Sequence, residues 1–219
     1  MIKVFNVNVY GIKEALIRAR YPMMDVVNQR MDLDTRSVDD LLKLGNTLGH
    51  TPHGHGDDKF LRQIFVSFDV LAPRYWWTEF DTYGFTVKDS QSTMHKAKSL
   101  PYKDLMNEYV DPRIVEVFLE YVDKYREDPS LENLQRAKAN LPEGMCIAAG
   151  VATNYAQLKT MYYQRHNHRL IEWRQFCGEF IKQLPYADAL GITMDDDVIT
   201  HTVVKLHELS RGGFGSTGD

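Results

Sequence analysis

The spacing of apolar residues predicts strands mainly in the first half of the chain and helices mainly in the second. Runs rich in β-branched and aromatic residues predict strands over 1–9, 60–71 and 145–151, with an extended stretch over 83–87. Helical spacing and stop signals predict helices over 39–48, 170–182 and 195–209, and others beginning at Ile12, Pro73, Pro112 and Thr153. Together with the absence of a glycine-rich phosphate loop, this order predicts an α+β fold.

The composition is that of an ordinary globular protein, with 43% hydrophobic and 26% charged residues. No apolar run approaches the roughly 20 residues that cross a bilayer, and the amino terminus lacks the pattern of a secretory signal. The two cysteines, Cys146 and Cys177, predict no disulfide framework. We therefore expect a cytoplasmic protein that does not bind membranes.

Charge is unevenly distributed along the chain. The net charge of −4 argues against a general nucleic-acid partner. Between Lys159 and Arg174, however, cations far outnumber the single acid, Glu172, and the sequence RHNHR occupies 165–169. This segment suits either an ordinary helix end, where cations favour the helix dipole, or a phosphate site. The sequence leaves both interpretations open.

Three other groups have a structural and a chemical interpretation. A histidine-rich loop at 50–58 suits either a metal site or a solvated loop, and we expect no metal, because no second half-site with ligand spacing follows. The cysteines lie in apolar surroundings, so we expect core residues rather than nucleophiles. The aromatic cluster at 75–85 suits ring stacking on a ligand or, as we expect, core packing. The possible metal ligands in the loop at 50–58 are His50, His53, His55, Asp57 and Asp58.

Three sequence motifs point to one family. The strand at 60–70 is followed by Arg74 and, at the family's spacing, by Ser92. The family's Ala-Arg-x-x-Leu-Pro is matched by AKANLP at 137–142, with Lys138 in place of Arg. A helix after Asn154 ends near Arg165, where the family has a nucleotide-binding Arg, and a matching Trp follows at 173. Over 60–96 and 137–175 the chain thus resembles the flavin-dependent thymidylate synthases.

The resemblance implies a mainly antiparallel sheet in a single domain over 1–211, and the glycine-rich tail at 212–219 is expected to be flexible. The implied reaction is reductive methylation of dUMP to dTMP, with methylenetetrahydrofolate as the carbon source and with FAD and NADPH. The implied assembly is a homotetramer with active sites at subunit junctions.

The resemblance also implies roles for individual residues. Ser92 and Lys138 would bind the nucleotide phosphate. Arg165 would be the catalytic residue that polarises a uracil carbonyl, since a fixed cation stabilises developing negative charge. On the cofactor side, Asn154 would contact the flavin, and we expect Tyr83 to stack on it and Arg169 to help hold it.

The chain departs from the family at several cofactor and phosphate positions. The family's Arg-His-Arg triplet falls on Thr82-Tyr83-Gly84, and Met94 replaces a phosphate-binding Arg. Ala156 replaces a flavin-contacting Arg, and Glu79 stands where Gln is usual. These departures keep two alternatives open: an enzyme that modifies another pyrimidine nucleotide, and a non-catalytic nucleotide-binding protein. A further alternative is a metal-dependent hydrolase that uses His53, His55 and Asp57.

Overall fold

A four-stranded antiparallel sheet organises the fold. The structure, a computed structural model, describes residues 2–24, 35–51 and 56–193. The strands are β1 (Lys3–Tyr10), β2 (Phe65–Pro73), β3 (Val87–Ser90) and β4 (Cys146–Asn154), arranged in the order β1-β2-β4-β3. Every pairing is antiparallel. The predicted α+β fold with a mainly antiparallel sheet is confirmed.

The two central strands bury one face of the sheet. Successive side chains of a strand point to opposite faces, so the alternate residues of β2 enter the core together. The β4 partners of Val66, Phe68 and Val70 are buried with them, whereas Phe65, at the start of β2, is 48% exposed. The buried positions of the two strands are Val66, Phe68, Val70, Ala72, Ala149, Val151 and Thr153.

Aromatic side chains from three helical segments are buried in the same core. The segments are α3 (Arg74–Phe80), which directly follows β2, α8 (Ile171–Gln175) and the π-helical turn Phe176–Phe180. The rings of Phe68 and Phe180 lie 4.5 Å apart, and those of Trp76 and Trp173 lie 4.8 Å apart. Most of the predicted aromatic cluster is therefore core, as expected, although Phe85 is 74% exposed.

Helices α1 (Ile12–Arg18) and α2 (Val38–Gly49) pack against each other and the main core. Ser37 and Asp40 cap each other reciprocally at the start of α2. At its end, Gly49 approaches the backbone of Leu190 so closely that a Cβ would lie 2.3 Å from the Leu190 carbonyl oxygen. Only glycine fits this contact, which joins α2 to the segment at 184–193.

A second, smaller hydrophobic cluster lies under α4 (Tyr102–Leu105), α5 (Pro112–Glu127) and α6 (Leu131–Ala139). Asp111 caps α5 and Pro112 occupies its first turn, where the missing N–H costs nothing. Ile147 of β4 packs against both clusters, so the two cores are continuous.

The predicted elements match the observed ones except at their ends and in two omitted helices. The strand predicted from 60 begins at Phe65, because 57–63 forms a 3₁₀ helix. The helix predicted over 170–182 changes to π and then 3₁₀ geometry after Gln175. Helices α4 and α6 were not predicted. The helix at 195–209, His53, His55 and the tail at 212–219 lie outside the described residues.

Candidate functional site

The guanidinium of Arg165 lies at the centre of a polar cluster at the end of helix α7 (Tyr155–Arg165). Its Nη1 donates to Glu79 Oε2 at 2.9 Å and lies 2.9 Å from His168 Nε2, while its Nε donates to the Tyr83 hydroxyl at 2.9 Å. Glu79 Oε2 also accepts the indole N–H of Trp173 at 2.8 Å. We call Glu79, Tyr83, Arg165, His168 and Trp173 the Arg165 cluster.

Aromatic rings fix the orientation of this guanidinium. Its carbon lies 5.0 Å from the Trp173 ring centroid and 5.8 Å from that of Tyr83, distances typical of cation–π contacts. The Tyr83 hydroxyl also donates to Gln164 at 3.1 Å. Burial raises the pKa of Tyr83, and the hydrogen bond from Arg165 partly opposes that rise. Tyr83 is therefore a neutral phenol that holds Arg165 in place.

Lys138 is the centre of a second cationic cluster. Its ammonium donates to the Thr93 hydroxyl, so the end of α6 contacts the turn that carries Ser92. Burial and the nearby charge of Arg74 lower the pKa of Lys138. Arg74 itself donates to the Leu141 carbonyl at 3.4 Å and pairs with Glu143 at 3.2 Å. We call Arg74, Ser92, Thr93, His95 and Lys138 the Lys138 cluster.

Ser92 lies in a hydroxyl-lined turn of this second cluster. Its Oγ accepts the His95 backbone N–H at 2.9 Å and lies 3.0 Å from His95 Nδ1. The Lys138 ammonium meets the adjacent Thr93, so the predicted phosphate residues Ser92 and Lys138 lie on touching segments. Cations beside hydroxyls and backbone N–H groups can bind a phosphate. The hydrogen bonds of Arg165 go to the other cluster, and the expectation that it binds the same nucleotide as Ser92 stays a prediction.

Several of the positions that the family resemblance assigns to the flavin have local partners in this chain. The Asn154 side chain accepts the Gln157 N–H at 3.0 Å and caps α7. The Thr82 hydroxyl donates to the Glu79 carbonyl at 2.7 Å. Gly84 and Arg169 are exposed, and Tyr83 is buried. The cofactor roles of Tyr83, Asn154 and Arg169 stay predictions.

Sequence reasoning placed Lys159 in the basic segment, but the structure buries it. It is 4% exposed, and its ammonium lies 2.7 Å from the Gly49 carbonyl oxygen and 3.0 Å from Asp58. This lysine therefore joins α7 to the two flanks of the histidine-rich loop. A lysine between Leu158 and Met161, on the apolar side of a helix, is the signal that could have identified it.

The metal alternative has no support in the described parts of the loop. Asp58 pairs with Lys159, and His50 Nδ1 lies 2.8 Å from the Asn46 carbonyl oxygen. Within 2–24, 35–51 and 56–193, no three His, Cys, Asp or Glu side chains are grouped as metal ligands. Both cysteines are buried and unpaired, as expected of core residues.

A buried hydrogen-bond chain lies beside α3. The Tyr75 hydroxyl donates to Glu172 at 2.5 Å and accepts from the Asn107 amide at 3.0 Å. Glu172 is 1% exposed, and burial together with the Glu172 carboxylate raises the pKa of Tyr75. The chain fixes α8, and with it the adjacent Trp173 of the Arg165 cluster.

The fold is that of the flavin-dependent thymidylate synthases. It is similar to a crystal structure of thymidylate synthase X from Helicobacter pylori with FAD and dUMP (TM-score 0.66, 14% identity, covering 92% of this chain and 100% of that one). It is also similar to the UMP/dUMP methylase PolB from Streptomyces cacaoi bound with 5-Br dUMP (TM-score 0.61, 13% identity, 92% and 94% coverage). No protein-family model and no curated protein matches the sequence. In the part of the chain that the structure describes, no helix is long and apolar enough to span a bilayer.

Proposed function

We propose that this protein is a pyrimidine deoxynucleotide-modifying enzyme that converts dUMP to dTMP by reductive methylation. The observation that carries this proposal is the Lys138–Thr93 contact. It joins two segments 45 residues apart in sequence, and the family resemblance assigns each of them independently to the nucleotide phosphate. The similar fold of a structure with bound dUMP supports the same assignment.

In this proposal the Lys138 cluster binds the phosphate and the Arg165 cluster binds the base. Lys138 supplies a cation, and Ser92 supplies a hydroxyl. Arg165 donates to a uracil carbonyl and stabilises negative charge that develops on the ring. Because Glu79, Tyr83 and Trp173 already fix the guanidinium, little reorganisation is needed when the base binds.

FAD fits the described residues with fewer cationic contacts than the family triplet provides. The exposed Arg169 suits its pyrophosphate, and Asn154 and Tyr83 are the other residues that we propose to contact it. When bound, FAD would supply electrons that originate from NADPH, and methylenetetrahydrofolate would supply the carbon. The chain's own part is to bind and orient the nucleotide and to keep charge close to its ring.

We further propose a homotetramer, in which the two clusters of different subunits complete one nucleotide site. This assembly would bring Ser92, Lys138 and Arg165 together although Arg165 contacts neither of the others within one chain. Sedimentation of the purified protein tests it, and a monomer that still binds dUMP with full affinity would exclude it.

A second candidate function is nucleotide binding without flavin chemistry, or modification of a different pyrimidine nucleotide. The specific observation in its favour is that Thr82, Tyr83 and Gly84 bring no cation to the triplet positions, while Glu79 adds a negative charge. Two measurements on purified protein separate the candidates: the flavin content, and the formation of dTMP from dUMP with methylenetetrahydrofolate, FAD and NADPH. Affinity for dUMP without flavin or turnover would favour the second candidate.

A further inference from the structure

Among the described residues, only one of the two oxygens of the Glu79 carboxylate has a hydrogen-bond partner. Arg165 Nη1 and Trp173 Nε1 donate to Oε2 at 2.9 and 2.8 Å, and His168 Nε2 lies 3.6 Å from the same atom. Within 2–24, 35–51 and 56–193, no hydrogen bond reaches Oε1, and the side chain is 33% exposed. Glu79 therefore presents an unused acceptor beside a fixed cation.

Arg165 presents the complementary donor. Its Nε and Nη1 are used by Tyr83, Glu79 and His168, whereas no partner for Nη2 is found among the described residues. The side chain is 20% exposed and is held over Trp173. Because a guanidinium is planar, fixing Nε and Nη1 also fixes the direction of the two Nη2 donors.

The net charge of this pair selects the kind of ligand group that it can bind. Glu79 neutralises Arg165, so the pair suits an uncharged polar edge better than a phosphate dianion. A carboxylate only accepts hydrogen bonds, whereas a glutamine could accept or donate. Glu79 therefore requires a hydrogen-bond donor on the ligand, such as the N–H of a pyrimidine, next to an acceptor for Arg165.

We propose that Glu79 is a specificity-determining residue whose Oε1 accepts a ring or amino N–H of a pyrimidine, while Arg165 Nη2 donates to the neighbouring acceptor. This inference rests on the proposed binding of a pyrimidine nucleotide. Uracil offers N3–H beside its carbonyl oxygens, and cytosine offers its amino group beside N3. Both bases share the required donor–acceptor edge, and uracil is the expected one.

The test compares ligands that differ only in the proposed N–H. Calorimetry measures the affinities of wild type for dUMP and N3-methyl-dUMP, for dCMP and N4,N4-dimethyl-dCMP, and for deoxyribose 5-phosphate. We expect N3-methylation to weaken wild-type binding about tenfold, which is the effect of a lost charge-assisted hydrogen bond at a part-exposed site. In Glu79→Ala the methylated and unmethylated ligands should bind almost equally. If methylation weakens binding only for the dCMP pair of ligands, the same donor–acceptor edge is recognised and cytosine is the base.

Glu79→Gln is the conservative variant, and it keeps the inference about Glu79 testable if Glu79→Ala fails to fold. An uncharged acceptor makes a hydrogen bond about half as strong, so the methylation penalty should fall to about threefold. A penalty that is the same in wild type and both variants overturns the inference, while nucleotide binding itself leaves the proposed function standing. If wild type binds deoxyribose 5-phosphate and all four nucleotides with equal affinity, both the inference about Glu79 and the proposed function are overturned.

Discussion

The ammonium of Lys159 lies 3.0 Å from the carboxylate of Asp58, and the two side chains are only 5% and 14% exposed. The ammonium also bonds the backbone carbonyls of Gly49 and Thr51. A buried charge that is satisfied in this way is costly to leave without its partner. The pair therefore holds the end of α2 and the 3₁₀ helix at 57–63 against α7.

We expect Lys159→Met to lower the free energy of unfolding by about 3–5 kcal/mol, because it leaves Asp58 buried without its cation. Urea denaturation measures the change. Arg136→Met is the matched control, since its partner Glu132 is i,i+4 on an exposed helix face and the loss should stay within about 0.5 kcal/mol. Equal effects of the two substitutions would refute the structural role of Lys159. Replacing both partners, as Asp58→Leu with Lys159→Met, should recover part of the stability.

Much of the fold was predictable from local sequence patterns. The alternation in β2 and the caps at Ser37 and Asp111 are properties of neighbouring residues, so the sequence contains them directly. Strand order is not such a property, and the antiparallel sheet came from the family resemblance. Helix α6 was missed because its one buried side chain, Ala137, gives hardly any apolar periodicity.

The site was predictable only where a motif marked it. Ser92, Lys138 and Arg165 were predicted from the motif spacing of the family, whereas the Glu79–Arg165 pair spans 86 residues and depends on how α3 packs against α7. The same applies to Thr93, which becomes a candidate only through its contact with Lys138. Long-range side-chain pairs of this kind follow from tertiary packing, which a single sequence does not specify locally.

Arg165→Ala should weaken dUMP binding by about 1.5–3 kcal/mol, because it removes a charge-assisted donor to the base. Calorimetry measures the affinity, and circular dichroism checks the fold. Arg174→Ala is the control, since this arginine is exposed on α8 and has no proposed contact with the nucleotide. Unchanged dUMP affinity in Arg165→Ala would count against the site.

As the pH rises, the affinity for phosphate should begin to fall at a lower pH than it would if Lys138 had the usual pKa of a lysine. Burial and the charge of Arg74 lower the pKa of Lys138 below its usual 10.5, so Lys138 loses its proton, and with it the attraction for phosphate, below that pH. Arg74→Ala should move this fall to higher pH, and Lys138→Arg should abolish it, because arginine stays charged. The stability of the free protein depends on pH in the opposite direction. Between the lowered and the usual pKa of Lys138, the unfolded chain binds more protons than the folded chain, so the contribution of Lys138 to the free energy of unfolding rises with pH. An affinity profile identical in wild type and Lys138→Arg would contradict the assignment.

Neither cysteine should react in the native protein. Burial raises the pKa of Cys146, and it raises that of Cys177 to about 12, so almost no thiolate forms near neutral pH. A thiol reagent at pH 8 should modify both residues in urea and neither in the folded state. Cys146→Ala and Cys177→Ala should keep both the dUMP affinity and the formation of dTMP, whereas an enzyme that uses a cysteine nucleophile would lose turnover. Rapid native labelling of either thiol would refute this.

Flavin binding should be weaker than in proteins that carry an intact Arg-His-Arg triplet. Thr82, Tyr83 and Gly84 lack its charges, and the loss of two charged hydrogen bonds at about 1.5–3 kcal/mol each lowers affinity by about two to four powers of ten. The exposed Arg169 offsets part of this loss. We therefore expect FAD to be partly lost on purification and to rebind at high concentration.

Titration of the apo-protein with FAD, followed by flavin fluorescence with and without dUMP, measures this affinity. Arg169→Ala should weaken FAD binding without changing the affinity for dUMP alone, because we place Arg169 on the cofactor and not on the nucleotide. Arg174→Ala serves again as the control for a general loss of positive charge. No binding at millimolar FAD in either condition would exclude the flavoenzyme and favour nucleotide binding alone. Tight, stoichiometric flavin in freshly purified protein would instead show that other residues fully replace the triplet, and Arg169→Ala would then reveal whether Arg169 is one of them.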